Sequence, residues 1–327
     1  MLSAKYNLSF LLCNNMSIIF MGTPEWAIPS LQAVLDSGSE ISAVFTQPDR
    51  PVGRKRVLTP SSIKQFSQNQ KLPVHTPEKA GSQETLELVR SLTPEIIMVC
   101  AYGQILPQSF LDIPRVGCFN LHFSLLPNLR GASPVQAAIA SGLETTGVSL
   151  QKIVLKLDAG PLVAASKPET ILQDDTTPLL GSRLAEIGGQ LIRKTLPKLL
   201  AENFSATEQN EGEETYCRII KKDEGRVHWT EETAREIERK LRAFTPWPGI
   251  FTFYSISGKN ENKRRIQLTK VEVVNESFEP GKIFPELTVG TRTGGLRILR
   301  LKPEGKQEMD ADSFLRGNPQ IVGTVLE

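Results

Sequence analysis

The sequence has few of the features that mark zinc-binding, disulfide-bonded and membrane proteins. It contains four cysteines in 327 residues, without the C-x-x-C spacing that zinc sites favour. Its apolar runs are shorter than the roughly 18 residues needed to cross a bilayer. We therefore expect buried, reduced thiols in a cytoplasmic protein that binds no metal and enters no membrane.

The sequence also has almost no excess of one sign of charge. The chain has 38 basic and 36 acidic side chains, and 39% of its residues are hydrophobic, a composition that is typical of a globular protein and excludes a disordered or fibrous one. A net charge of +2 gives no global signal for a nucleic-acid partner. Residues 218–327 nevertheless hold 20 basic and 16 acidic side chains, so the C-terminal part is mildly basic.

The length predicts about two domains. We expect residues 1–15 to be a disordered extension, with Met16 as a second candidate start. Residues 16–201 should form the larger domain. A polar, acidic stretch at 202–214 indicates a linker, and residues 215–327 should form the smaller domain.

Hydrophobic periodicity predicts the fold of each domain. Short apolar runs such as Ser17–Met21 and Ile96–Cys100 alternate with amphipathic helices, which indicates a doubly wound α/β fold with a mostly parallel sheet. After the first run, Thr23 suits a helix N-cap and Pro24 the first helical position. The smaller domain has short alternating segments separated by Gly, Asn and Pro, as in a small, OB-like β-barrel.

One of the three histidines stands out by its position. His122 lies at the carboxyl end of a predicted central strand, where open α/β sheets bind their ligands. Asn120 is two residues earlier, so both side chains face the same side of the sheet. The pair is a candidate site, although an amide and an imidazole can equally serve in core packing or loop capping.

Three further segments carry candidate functional residues. The loop after His122 has conspicuous apolar residues, which favours a pocket wall over a solvated turn. Asp158 follows a predicted strand in a tight turn, where it could be a plain turn former. A loop at 47–60 concentrates positive charge, through Arg50, Arg54, Lys55 and Arg56.

Taken in order, these segments resemble the methionyl-tRNA formyltransferase family from Met16 onward. The resemblance rests on Phe20–Pro24, Thr46–Arg54, Ala101–Gly103, Asn120–His122, Ser124–Pro127, Arg130-Gly131, Leu157–Gly160 and Arg242–Gly249. It implies a formyltransferase-like variant of the dinucleotide-binding fold. It also implies transfer of a formyl group from 10-formyltetrahydrofolate to the α-amine of methionine on initiator methionyl-tRNA in translation initiation.

The resemblance further implies the roles of particular residues. Asn120, His122 and Asp158 become the catalytic residues, with His122 either accepting a proton or donating to the oxyanion. The folate is expected against Ser124, Leu125, Leu126 and Pro127, with its pterin near Tyr102 and Gly103. The basic loop, with Arg54 as its main residue, would bind the acceptor end of the tRNA, and Lys263, Arg264 and Arg265 of the barrel would track the RNA backbone.

The sequence is also compatible with other functions. A related enzyme could formylate a small amine, such as glycinamide ribonucleotide or a sugar nucleotide, although such a substrate needs neither the basic loop nor a basic barrel. A non-catalytic RNA-binding protein would not need all three catalytic residues. A nicotinamide-dependent enzyme is disfavoured because Gly22-Thr23-Pro24 lacks the three-glycine fingerprint. We expect a monomer.

Overall fold

A computed structural model of the protein describes residues 16–53, 56–255 and 263–327. The extension predicted for residues 1–15 lies outside the described residues. The strands are β1 (Ser17–Gly22), β2 (Glu40–Phe45), β3 (Arg50–Val52), β4 (Val57–Thr59), β5 (Val74–His75), β6 (Ile96–Cys100), β7 (Gly117–His122), β8 (Arg130–Gly131), β9 (Thr145–Thr146), β10 (Ser149–Lys152), β11 (Leu162–Ala165), β12 (Glu169–Thr170), β13 (Tyr216–Cys217), β14 (Ile250–Ser255), β15 (Lys263–Val274), β16 (Ile283–Phe284), β17 (Thr288–Gly290), β18 (Gly295–Pro303) and β19 (Met309–Asp310). The helices are α1 (Ile28–Asp36), α2 (Ser62–Asn69), α3 (Gln83–Ser91), α4 (Gln108–Leu111), α5 (Pro134–Ala140), α6 (Thr177–Leu200), α7 (Ala234–Ala243) and α8 (Ala311–Gly317).

The chain divides into two compact units, of which the first carries a seven-stranded sheet. This unit comprises the described parts of Met1–Pro134 together with Thr146–Glu169 and Gly181–Cys217. Its strand order is β11-β10-β7-β6-β1-β2-β5. The strands from β7 to β5 are parallel, whereas β10 and β11 are antiparallel to their neighbours. The predicted α/β fold with a mostly parallel sheet is confirmed.

The centre of this sheet is buried on both faces. Ile18, Ile19, Phe20 and Met21 of β1 are each 0% exposed, because a continuous apolar run suits a strand that is covered on both sides. On one face Ile19 and Met21 pack with side chains of α3. On the opposite face Gly188 of α6 approaches Leu121 of β7, where a Cβ atom would lie 2.5 Å from the leucine side chain.

The strand order sets the position of the ligand crevice. The chain builds β1, β2 and β5 in one direction and then returns to place β6 on the other side of β1. In open α/β sheets, ligands bind outside the carboxyl ends of the strands where the order reverses. Here that position lies beyond Gly22 and Cys100, which pair at the ends of β1 and β6, and β7 is the next strand.

The turn after β1 differs from the predicted one. Thr23 does not cap a helix, because Pro24 begins a 3-10 turn at Glu25–Ala27 and α1 starts only at Ile28. The Thr23 hydroxyl instead donates to the backbone carbonyl of Tyr102 at 2.8 Å. The predicted N-cap at Thr23 is therefore wrong: a hydrogen bond to the turn after β6 replaces the local capping preference.

The second unit is an antiparallel barrel. It comprises Val135–Thr145, Thr170–Leu180 and Arg218–Glu327, and its strands follow the order β14-β15-β18-β17-β16, with β19 beside β18. The end of the chain joins the two edges. Glu327 and Phe253 of β14 exchange two backbone hydrogen bonds, and Ile283 of β16 donates to the carbonyl of Thr324. Because one segment bonds to both edge strands, the sheet is closed, as predicted.

The described cysteines Cys100, Cys118 and Cys217 are free thiols. Burial raises the pKa of Cys100 and of Cys118 to about 12, so both remain protonated at neutral pH. In the part of the chain that is described, helices lack the combination of length and apolar character that crossing a bilayer requires.

Candidate active site

Asn120 and His122 lie at the carboxyl end of β7. Val99 of β6 pairs with Asn120 on one side, and Ser149 of β10 pairs with His122 on the other. Because alternate residues of a strand face the same side, the amide and the imidazole project together. His122 is 5% exposed, and Asn120 is partly exposed, so the amide is the more accessible group.

Asp158 reaches both side chains from the turn between β10 and β11. Its Oδ1 atom is 3.4 Å from Nδ2 of Asn120, and its Oδ2 atom is 3.6 Å from Nδ1 of His122. The Asp158 side chain is only 10% exposed. The structure thus brings together three residues that are distant in sequence, close enough for all of them to contact one small reacting group.

The orientation of the His122 ring is set by a backbone carbonyl. Nε2 of His122 is 2.8 Å from the carbonyl oxygen of Leu129, and since a carbonyl only accepts hydrogen bonds, Nε2 carries the hydrogen. Nδ1, which faces Asp158, is then the ring atom that can gain or lose a proton. The sequence left the role of His122 open, and this contact leaves Nδ1 as the ring nitrogen that a reacting group could use.

Two groups that sequence analysis missed hold the Asp158 carboxylate. Nε2 of Gln151 donates to Oδ1 at 2.8 Å, and the backbone N–H of Gly131 donates to Oδ2 at 2.9 Å. Gln151 is 2% exposed and lies opposite Asn120 in the sheet. A glutamine in a buried strand is a sequence signal for such a role, because buried polar groups need hydrogen-bond partners.

The loop expected to bind folate, Ser124–Pro127, begins directly after β7 and has a fixed shape. Ser124 is 1% exposed, and its hydroxyl donates to the carbonyl of Asn128 at 2.5 Å. The Ser149 hydroxyl donates to the carbonyl of Ser124 and accepts from the N–H of Leu126. Leu125 and Pro127 are partly exposed. Ser124 and Leu126 therefore shape the loop, while Leu125 and Pro127 offer apolar surface.

Tyr102 and Gly103 follow β6, the strand next to β7. Tyr102 is 2% exposed, and burial raises the pKa of its hydroxyl to about 12. Among the described residues, this hydroxyl has no hydrogen-bond partner. Gly103 is exposed with a φ of +87°, a left-handed conformation that favours glycine. Because β6 and β7 pair in parallel, this turn and Ser124–Pro127 leave the same edge of the sheet.

The basic loop forms a hairpin from β3 and β4. Arg54 and Lys55, two of its predicted RNA-binding residues, lie outside the described residues. The Arg50 side chain is 63% exposed, and its guanidinium is 3.8 Å from the carboxylate of Glu78. Arg56 is exposed, with a φ of +48°. The described arginines of the hairpin therefore present their charge to solvent.

The other predicted RNA-binding residues begin strand β15 in the second unit. Lys263 forms an ion pair with the carboxylate of Glu327. The guanidinium carbon of Arg265 lies 4.0 Å from the centroid of the Phe251 ring, a cation–π contact. Arg264 is exposed. Within the described ranges, no group of three or more His, Cys, Asp or Glu side chains is arranged to hold a metal ion.

Comparison with known families covers almost the whole chain. The formyl transferase family matches residues 15–196, and the formyl transferase C-terminal domain matches residues 219–319. These two matches, on a mostly parallel sheet followed by an antiparallel barrel, place the chain in the formyl-transferring class of enzymes. The chain belongs to the formyl transferase family.

Curated relatives indicate the branch within this family. The methionyl-tRNA formyltransferase of Geobacter sulfurreducens is 38% identical over 315 residues, covering 95% of this chain and 96% of the relative. That of Methylococcus capsulatus is 41% identical over 306 residues, covering 93% and 97%. The resemblance to methionyl-tRNA formyltransferases that the motifs indicate is confirmed.

Solved structures share the fold at much lower identity. An N-formyltransferase from Helicobacter canadensis, in complex with folinic acid and dTDP-3-aminofucose, superposes with a TM-score of 0.63 at 19% identity, covering 90% of this chain and all of the other. HypX from Aquifex aeolicus, in complex with tetrahydrofolic acid, superposes with a TM-score of 0.60 at 16% identity, covering 94% of this chain and 48% of the other. At these identities the likeness concerns the fold.

Proposed function

We propose that this protein transfers a formyl group from 10-formyltetrahydrofolate to the α-amine of methionine on initiator methionyl-tRNA. The observation that carries the proposal is the convergence of Asn120, His122 and Asp158 at the carboxyl end of β7. The names of the full-length relatives support the choice of acceptor. Its aminoacyl-tRNA substrate would place the reaction in the cytoplasm, with the enzyme acting as a monomer.

The residues at the sheet edge suit a flat, partly apolar formyl donor. Leu125 and Pro127 present apolar surface, and the turn with Tyr102 and the exposed Gly103 leaves the same edge of the sheet. These residues, with Ser124 and Leu126, would hold the folate. When bound, the folate supplies the formyl carbon that the amine attacks.

Asn120 would stabilise the negative charge that forms on the formyl oxygen. Its amide is partly exposed and has an N–H group directed toward the site, where it contacts Asp158 at the long distance of 3.4 Å. Such a weak contact is readily exchanged for one to an oxyanion. A single preorganised donor of this kind is worth on the order of 3 kcal/mol of transition-state stabilisation.

His122 and Asp158 would remove the proton that the attacking amine must lose. Because Nε2 of His122 donates to the carbonyl of Leu129, the proton is taken up at Nδ1. Asp158 then faces the imidazolium with a carboxylate oxygen at 3.6 Å. Holding both substrates in place would allow direct attack: the amine bonds to the formyl carbon, the bond from that carbon to N10 of the folate breaks, and tetrahydrofolate leaves with a proton. No covalent enzyme intermediate is required.

The basic residues of the hairpin and of β15 would bind the tRNA. Arg50, Arg54, Lys55 and Arg56 would contact the acceptor end, and Lys263, Arg264 and Arg265 the RNA backbone. Contacts to phosphates and to an unpaired end suit RNA, because the A-form major groove is too narrow for side chains to read. The alternative acceptor is a small amine, such as glycinamide ribonucleotide or a sugar nucleotide, and the exposed arginines of the hairpin favour tRNA over it.

A direct assay tests the proposal. The purified protein is incubated with 10-formyltetrahydrofolate and with either charged initiator tRNA or charged elongator methionine tRNA, and the amino acid released is analysed by mass spectrometry. We expect formylmethionine from the initiator and much less from the elongator. Formylation of glycinamide ribonucleotide or an amino sugar nucleotide, with none on tRNA, would establish the alternative. Binding of tRNA with its methionine unchanged would indicate a non-catalytic RNA-binding protein.

A further inference from the structure

The turn that carries Asp158 has a backbone conformation that needs outside support. Asp158 has a φ of +48°, a left-handed conformation that costs energy for a residue other than glycine. Two residues later, a Cβ atom at Gly160 would lie 1.7 Å from the carbonyl oxygen of Lys152. The turn therefore packs closely against the end of β10. The position of the Asp158 carboxylate therefore depends on whatever holds this turn.

Gln209 makes the contacts that can hold it. Its side-chain Nε2 donates to the backbone carbonyl of Asp158 at 2.9 Å and to that of Gly160 at 2.7 Å. Gln209 is 8% exposed, so these hydrogen bonds are largely shielded from water. One amide group thus joins two carbonyls of the turn, although Gln209 lies in the segment 202–214 that the composition marks as a linker.

Arg130 determines which way the Gln209 amide points. Nε and Nη2 of Arg130 donate to Oε1 of Gln209 at 3.0 and 2.7 Å. A guanidinium group only donates hydrogen bonds, so the amide oxygen must face Arg130 and the amide nitrogen must face the Asp158 turn. Arg130 is 1% exposed, and among the described residues Gln209 is the side chain that accepts from it.

The residues that follow Gln209 in the chain contact the second side of the site. Residues Tyr216 and Cys217 of β13 pair with Arg130 and Gly131 of β8. Gly131 donates to Oδ2 of Asp158, and the preceding Leu129 accepts from His122. Segment 209–217 therefore contacts the supports of both His122 and Asp158.

From this geometry we infer that Gln209 is a positioning residue for the reaction: it holds the Asp158 turn, and so the carboxylate, against His122, with Arg130 orienting its amide. The inference rests on the proposed function for its kinetic consequence. Gln209 does not contact the reacting atoms and is not itself a catalytic residue. Its removal should lower kcat and leave the KM values for folate and tRNA nearly unchanged.

The substitution Gln209→Glu separates positioning from a merely structural role. A glutamate still accepts hydrogen bonds from Arg130, but it cannot donate to the carbonyls of Asp158 and Gly160. We expect a folded protein whose kcat is about 10- to 100-fold lower, the effect of a shift of the order of 1 Å in a catalytic group, with each KM within about twofold. Gln209→Met, which also lacks the donor but adds no charge, should lower kcat similarly and in addition lower the melting temperature, because it leaves Arg130 without its acceptor.

A neighbouring position supplies the matched control. Asn210 is exposed and hydrogen-bonds Glu213, so Asn210→Asp adds the same negative charge next to Gln209 without touching the turn. We expect it to keep the kcat of the unmodified protein. A kcat for Gln209→Glu that equals that of the unmodified protein, or a loss found entirely in KM, would overturn the inference.

A spectroscopic readout makes the test independent of the acceptor. The ring nitrogens of His122 are observed by ¹⁵N NMR in protein labelled at histidine, with the signals assigned from a His122→Ala sample. Gln209→Glu and Gln209→Met should both move the His122 signals in the direction seen for Asp158→Asn, whereas Asn210→Asp should not. Unmoved His122 signals in both Gln209 variants would overturn the inference. The NMR test does not depend on the tRNA assay. If the unmodified protein formylates no tRNA, that result refutes only the proposed function.

Discussion

Nδ1 of His122 lies 3.6 Å from Oδ2 of Asp158, and both side chains are at most 10% exposed. The opposite ring nitrogen of His122 is occupied by the carbonyl of Leu129 at 2.8 Å. The imidazole is thus held between a neutral acceptor and a carboxylate. In the proposed reaction, the proton from the substrate amine would arrive at Nδ1, beside this carboxylate.

Replacing His122 with alanine removes the proposed proton acceptor. We expect formyl transfer to fall by about 10²- to 10⁴-fold, the range typical of a lost general base, while affinity for tRNA stays nearly unchanged. Single-turnover kinetics and filter binding measure the two quantities. A large loss of affinity instead would assign His122 to recognition.

Replacing Asn120 with alanine tests the proposed oxyanion donor. The formyl oxygen would lose one preorganised hydrogen bond, so kcat should fall by about 10²- to 10³-fold. Because the amide acts on charge that appears only in the transition state, the KM values should change little. Steady-state kinetics with each substrate varied in turn checks this, and a change confined to the KM for folate would assign Asn120 to donor binding.

Replacing Gly131 with alanine should disrupt the support of Asp158. Gly131 has a φ of +122°, and an added Cβ atom would lie 1.9 Å from the carbonyl oxygen of Cys217. We expect a loss of more than about 2 kcal/mol in the free energy of unfolding, from backbone strain and displacement. Urea denaturation measures it. Gly317→Ala is the control, since nothing lies within 4 Å of its added Cβ atom, and it should change stability by less than about 0.5 kcal/mol.

Replacing Arg54 with alanine tests the proposed role of the basic hairpin. Affinity for tRNA, or discrimination between tRNAs, should decrease, and the dependence of binding on salt should become less steep because a phosphate contact is lost. Folate binding, measured by fluorescence, should be unaffected. Loss of folate binding with tRNA binding intact would contradict this assignment.

The stability of the protein should depend on His75 below neutral pH. Burial lowers the pKa of His75 from its usual 6.5, so the unfolded chain binds a proton at a higher pH than the folded protein does. The contribution of neutral His75 to the free energy of unfolding is therefore complete above about pH 6.5. It decreases as the pH falls from there through the folded-state pKa. Urea denaturation between about pH 5 and pH 7.5 should show a smaller decrease for His75→Phe, and equal decreases in the two proteins would contradict the prediction.

Local patterns account for the parts of the site that the sequence predicts. The two-residue period of a strand places Asn120 and His122 on one side of β7, and the parallel order of the sheet places that end of the strand beside the crevice. The first argument needs only neighbours along the chain, whereas the second also needs the order of strands in the sheet. The capping preference of Thr23 is also local, and it predicted the wrong helix start: in the folded protein the Thr23 hydroxyl donates to the backbone carbonyl of Tyr102.

Average composition does not reveal the individual buried residue in segment 202–214. Residues 202–214 are polar and acidic, which predicts a linker, yet Gln209 within them is buried and bonded to the Asp158 turn. A single buried glutamine contributes almost nothing to an average over thirteen residues. Gln151 escapes notice because its strand alone does not show that the turn after β10 folds back and brings Asp158 to its side chain.

The amino-acid sequence by itself determined the alternation of strands and helices, the short strands of the second unit and the side chains able to carry the chemistry, because periodicity and residue type are properties of short segments. Only the tertiary structure decided which donors surround Asp158 and which nitrogen of His122 is free. Those contacts join β7, the turn after β10, the loop before β8 and residues 209–217, and their geometry exists only once these segments pack together.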